Sequence, residues 1–198
     1  MNSSLAALVS RFHRFLSHPV VRPLVDVAMA AFILVVFHYL WWELLDVFRA
    51  TEAYERISGW LAQSVYRSSL WVNTRVLGME IVAHHAGNTM LFPAVDGYIK
   101  VNEGCSGFKQ MYQVLFLFLL FRGPLKHKLW FIPAAVAFMY PVNVLRVVLL
   151  SIALLIVPQH WDFLHLWVMR PFYYVAIFAE WVVWVEVFAR RTPQRLKN

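Results

Sequence analysis

Residues 24–42 read LVDVAMAAFILVVFHYLWW, a run in which Asp26 is the only charged side chain. As a helix this stretch is long enough to cross a bilayer core of about 30 Å. The rest of the chain agrees with that solvent. Of its 198 residues 61% are hydrophobic and only 15% charged, against roughly 25% charged in ordinary soluble domains. Mean hydropathy is +0.58. A soluble domain of this size could not hide nine Trp and sixteen Phe together with that aliphatic load.

Three further spans follow. The second runs over 106–121, where FKQMYQVLFLFLLF carries Lys109 and Gln110 near its start. It is short unless its first turn begins near Cys105. The third covers 129–156, interrupted by Pro133 and Pro141. The fourth covers 171–189, with Pro171 in the first turn, where a missing N–H costs little. The expected fold is an all-α polytopic membrane protein, one integral domain over 1–198 with about four transmembrane helices. The first apolar run is too long for a cleavable signal peptide, and no small-residue cleavage site follows it.

Basic residues orient the spans. Arg11, Arg14 and Arg22 precede the first, Arg122, Lys126 and Lys128 join the second to the third, and Arg190, Arg191, Arg195 and Lys197 follow the fourth. With four spans these segments share one side and hold ten of the 18 Lys and Arg, which marks that side as cytoplasm. Both termini are then cytoplasmic. The net charge of +7 is topological, and lipid rather than nucleic acid is the expected contact.

The outer side receives residues 43–105 and the loop PQHWDFLH (158–165). Residues 51–77 have the pattern of an amphipathic helix, lying on the membrane surface or packed on the bundle. Residues 79–101 are rich in β-branched side chains, with turn signals at AGN (86–88) and VDG (95–97), and predict a short β-hairpin segment of two or three strands.

Cys105, the single cysteine, sits in VNEGCSGFKQMY (101–112), a small polar turn before a long apolar run. One cysteine excludes an internal disulfide and a cysteine-rich metal site. A thiol at a helix N-terminus feels the positive end of the dipole, and Lys109 would add to that if it points the same way. Arg146, in YPVNVLRVVLL, lies about 17 residues beyond Leu129, roughly 26 Å of rise, at the outer interface. An arginine flanked by Leu and Val is costly in lipid and faces the protein interior. Asn143 shares its helical face. His165 closes the outer loop, and His160 lies in the same loop. A nucleophile, a permanent cation and a titratable imidazole therefore meet at one leaflet. The pair His84–His85 lacks neighbouring carboxylates or thiols, so no metal and no cofactor is expected. Glu180, near mid-bilayer, is read as an interhelical hydrogen-bond partner.

EGCSGFKQM, then NVLR, then a histidine after a short outer loop resembles the exosortase/archaeosortase family. The resemblance covers roughly residues 80–185 and rests on order, spacing and common depth. It departs in length, since many exosortases carry more spans than the four for which this chain has room. Archaeal relatives place an arginine at the histidine position, and Arg170 follows His165 closely enough to share that role. The resemblance implies a membrane cysteine peptidase or transpeptidase of the bacterial inner membrane. Its substrates would be exported proteins ending in a recognition motif, a transmembrane helix and a basic tail, the signal called PEP-CTERM. Cys105 would attack at the outer face and form a thioester, His165 would move protons, and Arg146 would hold the oxyanion. Asn143 would position Arg146 or bond a backbone carbonyl, and residues 50–100 would supply the groove for the motif. The competing reading is a four-span protein without enzymatic activity, a small transporter or an assembly partner, which would tolerate loss of the thiol.

Overall fold

The computed structural model describes residues 21–43 and 46–189. Its helices are α1 (Val21–Glu43), α2 (Glu52–Trp71), α3 (Phe108–Leu120), α4 (Leu125–Ile156) and α5 (Met169–Trp184). A three-stranded antiparallel sheet in the order β1 (Val82–His84), β2 (Thr89–Phe92), β3 (Gly97–Lys100) lies between α2 and α3. Among the described residues, three stretches are long and apolar enough to cross a membrane: α1, α4 and the helical run Pro158–Ala189 that contains α5. The chain is thus an all-α polytopic membrane protein with a small sheet.

The second expected span appears as α3, which has 13 residues and rises only about 20 Å, short of a hydrocarbon core of roughly 30 Å. Its neighbour α4 has 32 residues and rises about 48 Å. The mismatch shapes the molecule. The first half of α4 packs with α1, α3 and α5 around Val114, Leu117, Phe118, Met139 and Ile177. The second half outruns α3 and packs instead on α2 and the sheet, where Val147, Leu150 and Leu154 meet Val65, Met90, Phe92 and Val101. Pro133 and Pro141 lie inside α4 without ending it, contrary to the expected interruption. Proline is tolerated in membrane helices because neighbours re-satisfy the freed carbonyls.

α2 is packed on the bundle. Ser68 Oγ lies 2.8 Å from the Tyr140 hydroxyl, and Asn73 Nδ2 donates to Ser151 Oγ at 2.8 Å, both on α4. Its mean side-chain burial runs along Leu61, Ala62, Val65 and Tyr66, one face of the helix. The two sheet turns fall where the sequence placed them, with Asn88 and Asp96 in the left-handed region. Loop 158–165 is not a loop: helical turns at Pro158–His160, Trp161–Phe163 and Leu164–Val168 lead straight into α5.

At the end opposite the sheet, the α3–α4 turn carries Arg122. Its guanidinium pairs with the buried Asp26 of α1, and its carbonyl accepts from Trp184 Nε1 of α5 at 3.0 Å. Lys128 Nζ donates to the Leu119 and Phe121 carbonyls at 2.9 and 2.6 Å, satisfying groups that the end of α3 leaves open. Arg22, Arg122, Lys126 and Lys128 share this end, whereas Arg11, Arg14 and the tail cluster Arg190, Arg191, Arg195 and Lys197 lie outside the described residues. Around the bundle, Phe32, Val175 and Leu129 are 69%, 66% and 80% exposed, an apolar perimeter that suits lipid. Glu180 is buried, and among the described residues neither carboxylate oxygen has a hydrogen-bond partner, so the expected interhelical bond is not formed there.

Candidate active site

The polar turn around Cys105 is built by three local devices. Asn102 caps the 3-10 turn Glu103–Cys105: the Cys105 N–H donates to the Asn102 side chain at 3.2 Å and to its carbonyl at 2.9 Å. Ser106 Oγ accepts from the Phe108 N–H at 3.2 Å and so serves one of the open donors at the start of α3. Gly107 then turns the chain with φ +81, a conformation glycine adopts at little cost. The absent side chain also matters. A Cβ on Gly107 would lie 2.9 Å from Asn143 Nδ2, so only glycine lets α4 approach this closely.

That approach permits a relay of contacts. Asn143 Nδ2 donates to the Cys105 carbonyl at 2.7 Å and holds the cysteine from behind. Asn143 Oδ1 accepts from the Tyr173 hydroxyl of α5. The same hydroxyl accepts from Arg146 at 3.4 Å, and the guanidinium lies 5.1 Å from the Tyr173 ring centroid. Asn143 therefore bonds a backbone carbonyl and also reaches Arg146, through Tyr173. Three segments (the 102–107 turn, α4 and α5) are locked around one tyrosine. Arg146 is 5% exposed, and its Nε has no partner among the described residues.

Two cavities meet at Arg146. One, of about 470 Å³, is a groove between β3 and the helical turns after α4. Cys105, Arg146 and His165 all line it, over a floor of Val147, Leu150 and Leu154. His165 lies in the widened turn Leu164–Val168, and its ring stacks on Trp161 at 5.7 Å with 7° between planes. Such widened turns recur at functional sites. The charged groups that bear on its imidazole are Arg146, Arg170 and Asp162. His160, the other histidine of the 158–165 segment, is exposed and lies outside the groove lining.

The second cavity, of about 480 Å³, lies on the other side of the cysteine turn and is cationic and aromatic. Arg49, Lys109, Arg146 and Arg170 face it with Trp42 and Tyr54, and Glu103 is its carboxylate. Lys109 Nζ sits 4.6 Å from the Trp42 ring centroid. Cys105 does not line this cavity, and the contact shown for the Lys109 ammonium is the Trp42 ring. Burial first, then the nearby Glu103 carboxylate, raises the Tyr54 phenol above its ordinary range against the opposing effect of Arg49, leaving it a neutral donor at pH 7.

Tyr173 escaped the sequence reading because a tyrosine near the end of a membrane helix passes for an interfacial anchor. Asn102 carried a weak signal, a capping residue before a Gly-containing turn. Gly107 was legible as the last residue of the Cys105–Ser106–Gly107 run, but its need for close approach exists only once α4 is in place.

A family model for transmembrane exosortases matches residues 22–188, which takes in the three strands and, but for Val21, the five helices described above. Comparison with curated proteins and with solved structures returns no match.

Proposed function

Because the chain belongs to the transmembrane exosortase family, we propose that it is a cysteine transpeptidase that cuts the C-terminal sorting tails of exported proteins and passes the new carboxyl end to an acceptor. The observation that carries this reading is the single groove on which Cys105, Arg146 and His165 stand together. The Arg122 end of the bundle is taken as cytoplasmic in a bacterial inner membrane, which puts the groove at the outer face.

In this reading His165 takes the Cys105 proton, and the thiolate attacks the scissile carbonyl. The tetrahedral oxyanion is held by Arg146, which lines the groove and whose guanidinium stays protonated. The C–N bond breaks, His165 returns the proton to the leaving amine, and a thioester remains on Cys105. An amine or hydroxyl acceptor, or water, then gives its proton to His165 and displaces the thiolate. Asn143 and Tyr173 position Cys105 and Arg146. Arg170 reaches the second cavity rather than the groove, so it acts on the site through its field.

The test compares wild type with Cys105→Ala in the native host, reading the C-termini of exported, membrane-tailed proteins by mass spectrometry. Tails removed in wild type and retained in the variant are the expected result, and an added group on the product distinguishes transfer from hydrolysis. Identical processing in both strains would sink the reading and leave a non-enzymatic membrane protein.

A further inference from the structure

The groove that holds Cys105 has an unusual wall. β3 pairs with β2 on one side only, so it is an edge strand. Val101 N–H donates to the Asn88 carbonyl at 2.9 Å, which fixes the phase of the ladder. With Met90 opposite Ile99 and Phe92 opposite Gly97, the backbone groups of Gly97, Ile99 and Val101 turn toward β2. Those of Tyr98 and Lys100 turn the other way, and among the described residues they have no backbone partner on that edge. Both residues, with the rest of β3, line the groove.

Edge strands are normally blunted by charge, proline, a bulge or a covering element. Here β3 carries the charge of Lys100 but no proline, and it lines a groove shared with Val147, Leu150, Leu154 and Cys105. Trp161 and His165 form the far wall. β3 itself has four residues, so a strand added along it would be about as long, at roughly 3.3 Å per residue.

We propose that the substrate polypeptide binds as an added strand on the free edge of β3, with backbone hydrogen bonds to Tyr98 and Lys100 that deliver its scissile bond to Cys105. This rests on the reading of Cys105 as the nucleophile. Strand addition explains how a small site can hold a chain in register: backbone bonds fix the position, and only every second side chain meets the enzyme. Those side chains face the aliphatic floor of α4 and are expected to be small or apolar. The intervening ones point away and are free to vary. The class of ligand is therefore an extended, unstructured segment, not a helix.

The probe is an exported protein whose tail is retained in the Cys105→Ala strain. Against it, Tyr98→Pro and Lys100→Pro each remove an edge-facing N–H while leaving the β2 ladder intact, and proline is tolerated on edge strands. Tyr98→Ala and Lys100→Ala remove only the side chains. An ester in place of the Gly97–Tyr98 amide deletes the same N–H with almost no change of shape, and decides the matter if a proline variant fails to fold. The expected result is tail removal slowed about tenfold by the proline and ester variants, the loss of one hydrogen bond, and slowed clearly less by the matching alanines. Wild-type rates with the ester would overturn the proposal, as would equal losses with alanine and proline, which would assign the effect to side chains. If no exported tail depends on Cys105, the transpeptidase reading itself has failed, a result visible before any β3 variant is made.

Discussion

Gly107→Ala perturbs the one point where the cysteine turn, α4 and α5 are locked together. Two costs add. The residue holds φ +81, where a side chain costs about 1–2 kcal/mol. The new Cβ would also stand 2.9 Å from Asn143 Nδ2, closer than real contacts allow, and a tight 3.2 Å from Cγ. Asn143 must then retreat and give up its 2.7 Å bond to the Cys105 carbonyl, worth about 1 kcal/mol or more in a buried setting. The sum is a destabilisation of about 2–4 kcal/mol. Because Asn143 also accepts from Tyr173, the displacement reaches Arg146, and a shift near 1 Å at the reacting groups is expected to slow tail removal by about a hundredfold. The assay is a double-mutant cycle with Asn143→Ala, reading denaturant unfolding in micelles and tail removal in cells. In the Asn143→Ala background the clash is gone, and Gly107→Ala should cost only its backbone share of about 1–2 kcal/mol. If Gly107→Ala costs the same with and without Asn143, the two residues are not coupled and the relay described above is wrong.

Tyr173→Phe removes the hydroxyl that bridges Asn143 and Arg146 while keeping the ring under the guanidinium. It is expected to slow tail removal about tenfold, the cost of leaving a buried acceptor unpaired, with little change in helix content by circular dichroism. His165→Asn is expected to slow processing by about a hundredfold or more, the usual share of a general acid and base, whereas His160→Asn stays within about twofold. Pulse–chase labelling of a tailed substrate reads both, and the reverse order would move the proton-transfer role to His160.

Much of the architecture is carried by the sequence itself. The apolar run at 24–42, the long stretch around Arg146 and the run after Pro171 each match a helix because lipid leaves few alternatives for a backbone that must bond internally. The turn signals at 86–88 and 95–97 are equally local, and the chain turns there with Asn88 and Asp96 in left-handed conformations. The polar turn at Cys105 and the arginine among Leu and Val stand out on composition alone, because each is expensive where it lies unless something in the tertiary structure receives it.

What receives them was decided only in three dimensions. The shortness of α3 against the length of α4 sets how far Arg146 stands from Cys105, and helix packing fixes that difference rather than either sequence. Trp161 and His165 reach the groove because the expected loop winds into helical turns, a continuity that no local signal in PQHWDFLH announced. Tyr173 became part of the site only when α5 docked beside α4, and Lys109 meets the Trp42 ring because α3 packs on α1. Spacing along a chain determines which face of a helix a side chain shares; which neighbour that face meets is a property of the packed bundle.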